Sequence, residues 1–329
     1  MGPRLPVALS VLLALLAVAV VFALATGYQP ITLSELRADE TARTIFFRLR
    51  IPRVVLGIVV GSSLASVGAA LQALFRNPLA EPFTLGVSGG GALGASMAIA
   101  LGLGANVAGI PLVFVAAFLG SIAFVAIVYR LASAGTIVMP GALLLAGVVL
   151  NLIAGAGVLM IQFVTDYTRA LQILRWMVGS LDVVGMDLIW RMLVFVVPGL
   201  LVLLATTRDL HLIAVDEESA AALGVNVART EKLVYMASSL IVGVAVAVVG
   251  PIGFVGLIVP HAVRLLFGED LRTVLPCSMV LGAAFLVLAD TLARTILGAS
   301  ELPVGALTAL VGGPLFLLLL GRRRRYAAM

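Results

Sequence analysis

Residues 208–232, RDLHLIAVDEESAAALGVNVARTEK, form one charged island in a chain that is otherwise almost continuously apolar. On either side of it lie apolar runs of about twenty residues that lack the in-out alternation of barrel strands, which is the pattern of lipid-spanning helices. Over all 329 residues, 62% are hydrophobic and 11% charged. Soluble domains carry roughly 45–50% and about 25%. Lipid admits only helices and closed barrels as spanning elements, because every backbone polar group must be satisfied internally. The chain therefore reads as an all-α polytopic membrane protein. A membrane protein that collects its polarity in one loop offers that loop to a soluble partner.

Working outward from the island, ten candidate spans can be marked: Leu5–Thr26, Pro52–Leu74, Thr84–Leu103, Pro111–Leu131, Gly141–Phe163, Leu188–Thr207, Lys232–Val249, Ile252–Phe267, Val274–Leu297 and Val304–Leu320. The eighth and tenth are short for a hydrocarbon core of about 30 Å. Ala23-Leu24-Ala25 resembles a signal-cleavage site, but the run from Leu5 to Ala25 exceeds the roughly 7–15 residues of a signal-peptide core. It is expected to stay as the first span. Ile31–Leu49 reads as an amphipathic helix lying on the surface, and Thr165–Asp187 as a segment with a short helix. No repeat, linker or soluble domain interrupts 1–329, so a single transmembrane domain is expected.

Placing both termini in the cytoplasm puts twelve of the 21 Lys and Arg residues inside, among them Arg322, Arg323, Arg324 and Arg325. Nine remain outside, which is many, and an acidic partner on that side would explain them. The tail arginines also account for the isoelectric point near 10.0, so nucleic acid is not an expected partner. One cysteine, Cys277, excludes an internal disulfide, and two separated histidines, His211 and His261, predict no metal site. Gly89–Gly94, GGGALG, has the glycine spacing of a dinucleotide loop but no preceding strand and no following acid. No phosphate-binding G-x-x-x-x-G-K-[ST] occurs, so ATP used by such a system is bound by another chain.

Four local patterns carry expectations. In the island, Asp216-Glu217-Glu218 suit a helix start and Gly224 its end, with Ala220, Ala221, Ala222 and Leu223 exposed between them. Asn226 is placed to cap a second short helix, Val227–Glu231. Together they form a knob that fits a groove on a partner. Arg76-Asn77-Pro78-Leu79-Ala80-Glu81-Pro82 breaks helix twice and reads either as a plain turn or as part of a gate. Asp290 and Arg294, four residues apart, share a helix face, as a structural pair or with Asp290 in a transport role. Gly57, Gly61 and Gly68 line one face of the second span, as close helix packing within the chain requires.

Arg50-Ile51-Pro52-Arg53, GAALQALFRNPLAEPFTLGVSGGGALG from Gly68, LAGVVLN (Leu145–Asn151), WMVGSL (Trp176–Leu181), DEESAAALGV (Asp216–Val225), GPIGFVGLIVPHAVRLLFGEDLRTVLP (Gly250–Pro276), ADTLAR (Ala289–Arg294) and ELPVG (Glu301–Gly305) resemble, in this order, the FecCD family. These are permeases of type II ABC importers for iron-siderophores, haem and vitamin B12. The resemblance covers nearly the whole chain and implies ten spans, a dimer of permeases as the translocation path, two ATP-binding cassette ATPase subunits inside, and a periplasmic or lipid-anchored substrate-binding protein outside. It implies a bacterial cytoplasmic-membrane location and no catalysis by this chain, with ATP and Mg on the partner ATPase. It assigns Arg50, Arg53 and Arg294 to docking the binding protein. It assigns Asp216, Glu217, Ala220, Ala221, Leu223, Gly224 and Val225, within the loop 208–232, to coupling with the ATPase. Asn77 and Leu79 would border a gate. Asn151, a polar residue within a span, is a candidate for the path, as are Gln72 and Gln162. Iron-siderophore import as a homodimer is the first reading, with haem or corrinoid import as the alternative. A gradient-driven secondary transporter is the rival class, and Asp290 would have to serve it.

Overall fold

The computed structural model describes residues 5–27, 32, 34–107, 109–134, 137–138, 140–296 and 301–327, with the backbone alone for 134, 137–138, 140 and 317–327. The expectations for Ile31 and for the side chains of Arg322–Arg325 lie outside the described residues.

After α1 (Leu5–Ala25) come two short helices, α2 (Glu35–Ala38) and α3 (Glu40–Ile45). A π turn over Phe46–Arg50 then runs without a break into α4 (Ile51–Leu74). A 3-10 turn, Pro82–Leu85, precedes α5 (Val87–Ala100), and α6 (Leu112–Ala132), α7 (Pro140–Val164), α8 (Tyr167–Val178) and α9 (Asp187–Ala205) follow. The island holds α10 (Thr207–Val215) and α11 (Glu217–Ala222). The last four helices are α12 (Val227–Val249), α13 (Val255–Phe267), α14 (Leu271–Thr295) and α15 (Val304–Ala327). Two-residue hairpin pairings, 106–107 with 110–111 and 133–134 with 137–138, flank α6.

Among the described residues, seven helical stretches are long and apolar enough to cross a membrane, and α5, α13 and residues 304–316 of α15 are shorter apolar helices. The total of ten agrees with the sequence. The third span is shorter than expected, because its first residues form the 3-10 turn. The surface helix expected over 31–49 is instead a run-up to α4, continuous with it from Glu40.

α4 is the central post, buried along most of its length. Its glycines explain how neighbours approach so closely. A Cβ on Gly61 would overlap the carbonyl of Gly282 in α14, and one on Gly282 would overlap Gly61 in return. A Cβ on Gly68 would likewise overlap the carbonyl of Gly256 in α13. The glycine face of the second span thus packs within the chain, where dispersion between close backbones replaces a hydrophobic driving force.

Prolines inside helices leave carbonyls without their i+4 donor, and lipid offers no water to replace it. Two such carbonyls are filled from distant elements. Pro52 would normally serve Arg48, whose oxygen instead accepts from the Gly185 amide at 2.8 Å. Pro260 in α13 would serve Gly256, whose oxygen accepts from Gln72 Nε2 at 3.1 Å. Gln72 is therefore a buried brace.

Candidate functional site

The chain presents two polar faces. One carries the island; the other, at the far ends of the same helices, carries a cluster of arginines and acids.

On the island face, Asp216 caps α11 by accepting from the Ser219 amide at 2.8 Å, and these hydrogen bonds from Ser219 hold its carboxyl below the usual aspartate range. α11 stops at Ala222, and Gly224 follows in the left-handed region at φ 87°. Leu223 is 70% exposed, beside exposed Ala221 and Ala222. Ala220 differs from expectation. It faces inward and is buried, because a helix this short must still rest one side on its neighbours. Val225 is half-buried. Asn226 does act as a cap, accepting from the Arg229 amide at 3.0 Å, but the helix it opens is α12 itself and not a separate short one.

Glu217 of α11 pairs with Arg76 at 2.7 Å. This joins the island to the connection between α4 and α5. Arg76 has φ 47°, unusual for a side chain of its size. Asn77 Oδ1 accepts from the Leu79 amide at 2.9 Å, and Leu79 is about half exposed. Asn151 does not stand beside these two. Its amide donates to the Phe83 carbonyl at 2.9 Å and accepts from the Gly89 amide at 2.9 Å, so it satisfies one of the unpaired donors at the start of α5. Gln162 lies half-buried near Met177.

Next to α10 and this connection is a cavity of about 700 Å3 lined by Gln72, Arg76, His211, His261, Arg264 and Asp270, among others. The two histidines, fifty residues apart in sequence, share its wall. Among the described residues no group of three or more His, Cys, Asp or Glu is placed to hold a metal ion.

On the far face, the three arginines assigned to docking each hold partners within the chain. Arg294 Nη2 donates to the carbonyl of Ala23 at 2.6 Å, and Arg50 Nη1 to that of Leu24 at 3.0 Å. Both carbonyls lie in the last turn of α1, where no intrahelical donor remains and a cation is favoured. Both arginines are buried. Arg53 grips Asp290 with Nε and Nη2 at 3.0–3.1 Å, and its Nη1 reaches Glu301 at 2.7 Å and Asp182 at 3.2 Å. Asp290 also lies 3.6 Å from Arg294, giving the i,i+4 pair expected. The sequence motifs assigned a role to the arginines, but none to Asp182 or to Glu301, whose partner is remote in the chain. Glu81 was missed as well. Its carboxylate accepts from the Phe254 amide at 2.7 Å, and the only sequence signal was its place in the helix-breaking 76–82 pattern and the motif around it.

The chain thus places a polar loop on one face and a bracing cluster on the other, with a bundle of close-packed helices between them. Residues 9–322 match the family model of the FecCD transport family. The chain belongs to the FecCD family. Its relatives include the cobalamin import system permease BtuC of Halobacterium salinarum, 43% identical over 86% of this chain and 75% of that protein. The hemin transport system permease HmuU of Yersinia pestis is 38% identical over 89% and 88%. A solved inward-facing structure assigned to the metal-chelate type of ABC transporter superposes with a TM-score of 0.85 at 33% identity, covering 96% of this chain and 99% of that one. The chain is a multi-pass permease subunit of an ABC importer. It is not an enzyme, and ATP hydrolysis belongs to a partner ATPase.

Proposed function

We propose that this permease imports iron-siderophore chelates across a bacterial cytoplasmic membrane. Two copies form the path between them, with both termini and the island in the cytoplasm. Two ATPase subunits seat α11 in their grooves, and a substrate-binding protein docks on the far face. The observation that carries the reading is the island helix α11, which ends at exposed Leu223 while its Glu217 holds Arg76, next to Asn77 and Leu79. A push on α11 is thereby delivered to the gate loop. Closure of the ATPases on ATP then switches which side is open, as a rigid-body change driven by differential binding. Leu223→Asp tests the reading. It should abolish co-purification of the ATPase while the permease still inserts; normal co-purification would refute it.

Docking at the far face proceeds by exchange at Arg53. Glu301 and Asp182 are half or more exposed, so acids of the binding protein can displace them without disturbing Asp290. Glu301→Gln should tighten docking, and Arg53→Glu with Arg50→Glu should weaken it and leave the remainder more salt-sensitive. A haem or corrinoid cargo is the second reading, favoured by the two named relatives. The absorption spectrum of the purified binding protein with each chelate decides between them.

A further inference from the structure

The segment between α12 and α13, Gly250-Pro251-Ile252-Gly253-Phe254, is not helical, although it lies inside the bundle. Gly250 packs on the Trp176 carbonyl and Gly305 on that of Pro251. Non-helical backbone at this depth persists only where protein or a cavity satisfies it. Phe254 is its focal residue. It carries φ 69°, a left-handed conformation that is costly for a large side chain, and it begins α13. Its amide is one of the unpaired donors at that helix start, and Glu81 accepts from it at 2.7 Å. Its ring rests on Gly312 and Gly313 of α15. Pro82, next to Glu81, packs against Gly256 so closely that a Cβ there would meet its ring.

Glu81 closes the connection that Arg76 opens. On one side, Arg76 is paired with Glu217 of α11; five residues later, the same connection holds Phe254, and through its ring α15. We propose that Glu81 is a positioning residue that relays displacement of α11 into the membrane-embedded core, along Glu217, Arg76, the 76–82 connection, Glu81, Phe254 and α15. The short connection behaves as a lever with an ion pair at one end and a charged hydrogen bond at the other. A carboxylate suits the inner end, since it is the strongest neutral-amide acceptor available to a side chain and sits at the positive end of α13. The relay deepens the importer reading and rests on it only for the identity of what pushes α11.

Hydrogen exchange on the full chain tests it, comparing the parent, Glu217→Ala, Glu81→Ala and the double variant in the segment 250–256. Losing a buried bond to a charged acceptor should speed local opening by roughly tenfold or more in Glu81→Ala. Glu217→Ala should speed the same segment in the parent and add nothing in Glu81→Ala. Glu81→Gln, which keeps an acceptor oxygen, should restore most of the protection. Peptides along the Gly61–Gly282 contact must stay protected throughout, which separates the relay from general unfolding. Additive effects at 250–256, or no effect of Glu217→Ala there, overturn the proposal. The importer reading fails separately, by the Leu223→Asp co-purification.

Discussion

Replacing Arg53 by Ala should be among the most damaging single changes available on the far face. Asp290 has only 4% of its side chain exposed and Arg53 15%, and three donor–acceptor distances of 3.0–3.1 Å join them. Removing one partner of such a buried pair costs about 3–5 kcal/mol, because the remaining charge keeps its desolvation penalty. Arg294 is still near Asp290 at 3.6 Å, which places the loss toward the lower end, about 3 kcal/mol. The other two acids on Arg53 behave differently. Glu301 and Asp182 are 50% and 67% exposed, so Glu301→Gln and Asp182→Asn should each cost at most about 1 kcal/mol. Equilibrium unfolding in mixed micelles of mild detergent and SDS provides the measurement, arranged as double-mutant cycles. Arg53→Met combined with Asp290→Leu should recover only part of the loss, since apolar replacement removes the desolvation cost of this pair but takes from buried Arg294 its carboxylate. A coupling below about 1 kcal/mol for Arg53–Asp290, equal to that for Arg53–Glu301, would refute the inference from burial to energy.

Other perturbations follow from the same geometry. Gly61→Ala should destabilise by about 1–3 kcal/mol through overpacking against α14, whereas Gly155→Ala, with nothing within 4 Å of the added Cβ, should be neutral or gain up to about 1 kcal/mol in helix propensity; unfolding curves separate the two. Asn151→Ala removes both hydrogen bonds at the start of α5 and should cost about 1–3 kcal/mol, while Gln162→Ala should be near neutral in the same assay. The Asp216 cap has a pH signature. Its folded carboxyl lies below the unfolded value, so the cap is fully effective above about pH 3.9 and is lost as pH falls through the folded value. Protection of the amides over 217–223, relative to their intrinsic exchange, should therefore stay flat through neutral and mildly acidic pH and fall only in stronger acid, a fall that Asp216→Asn should abolish.

The spans were legible because long apolar runs have few alternatives in lipid, and the caps Asp216 and Asn226 were legible because capping is local. Two classes of feature were not. The non-helical segment 250–254 is as apolar as a helix, and the eighth span was therefore begun at Ile252, three residues before α13 starts; nothing nearby in sequence says that Glu81 will hold Phe254. The direction of the far-face arginines was hidden for a similar reason. A count of cations on one side registers charge but not the unpaired carbonyls at the end of α1 or the acid at position 290 that draw them inward. Ala220 illustrates the small-scale version: composition marks an exposed apolar knob, but only packing decides which alanine of the helix is spent on holding it down.

The proline-vacated carbonyls of Arg48 and Gly256 have a consequence for biogenesis. Each is a lone acceptor that its own helix cannot satisfy, left open until a partner arrives. The partner of Arg48 is the Gly185 amide, made more than a hundred residues later, whereas Gln72 is already in place when Gly256 is synthesised. The first half of the chain therefore leaves the ribosome with one vacant socket that only the second half can plug, so a nascent chain truncated before Gly185 should linger at the insertion machinery.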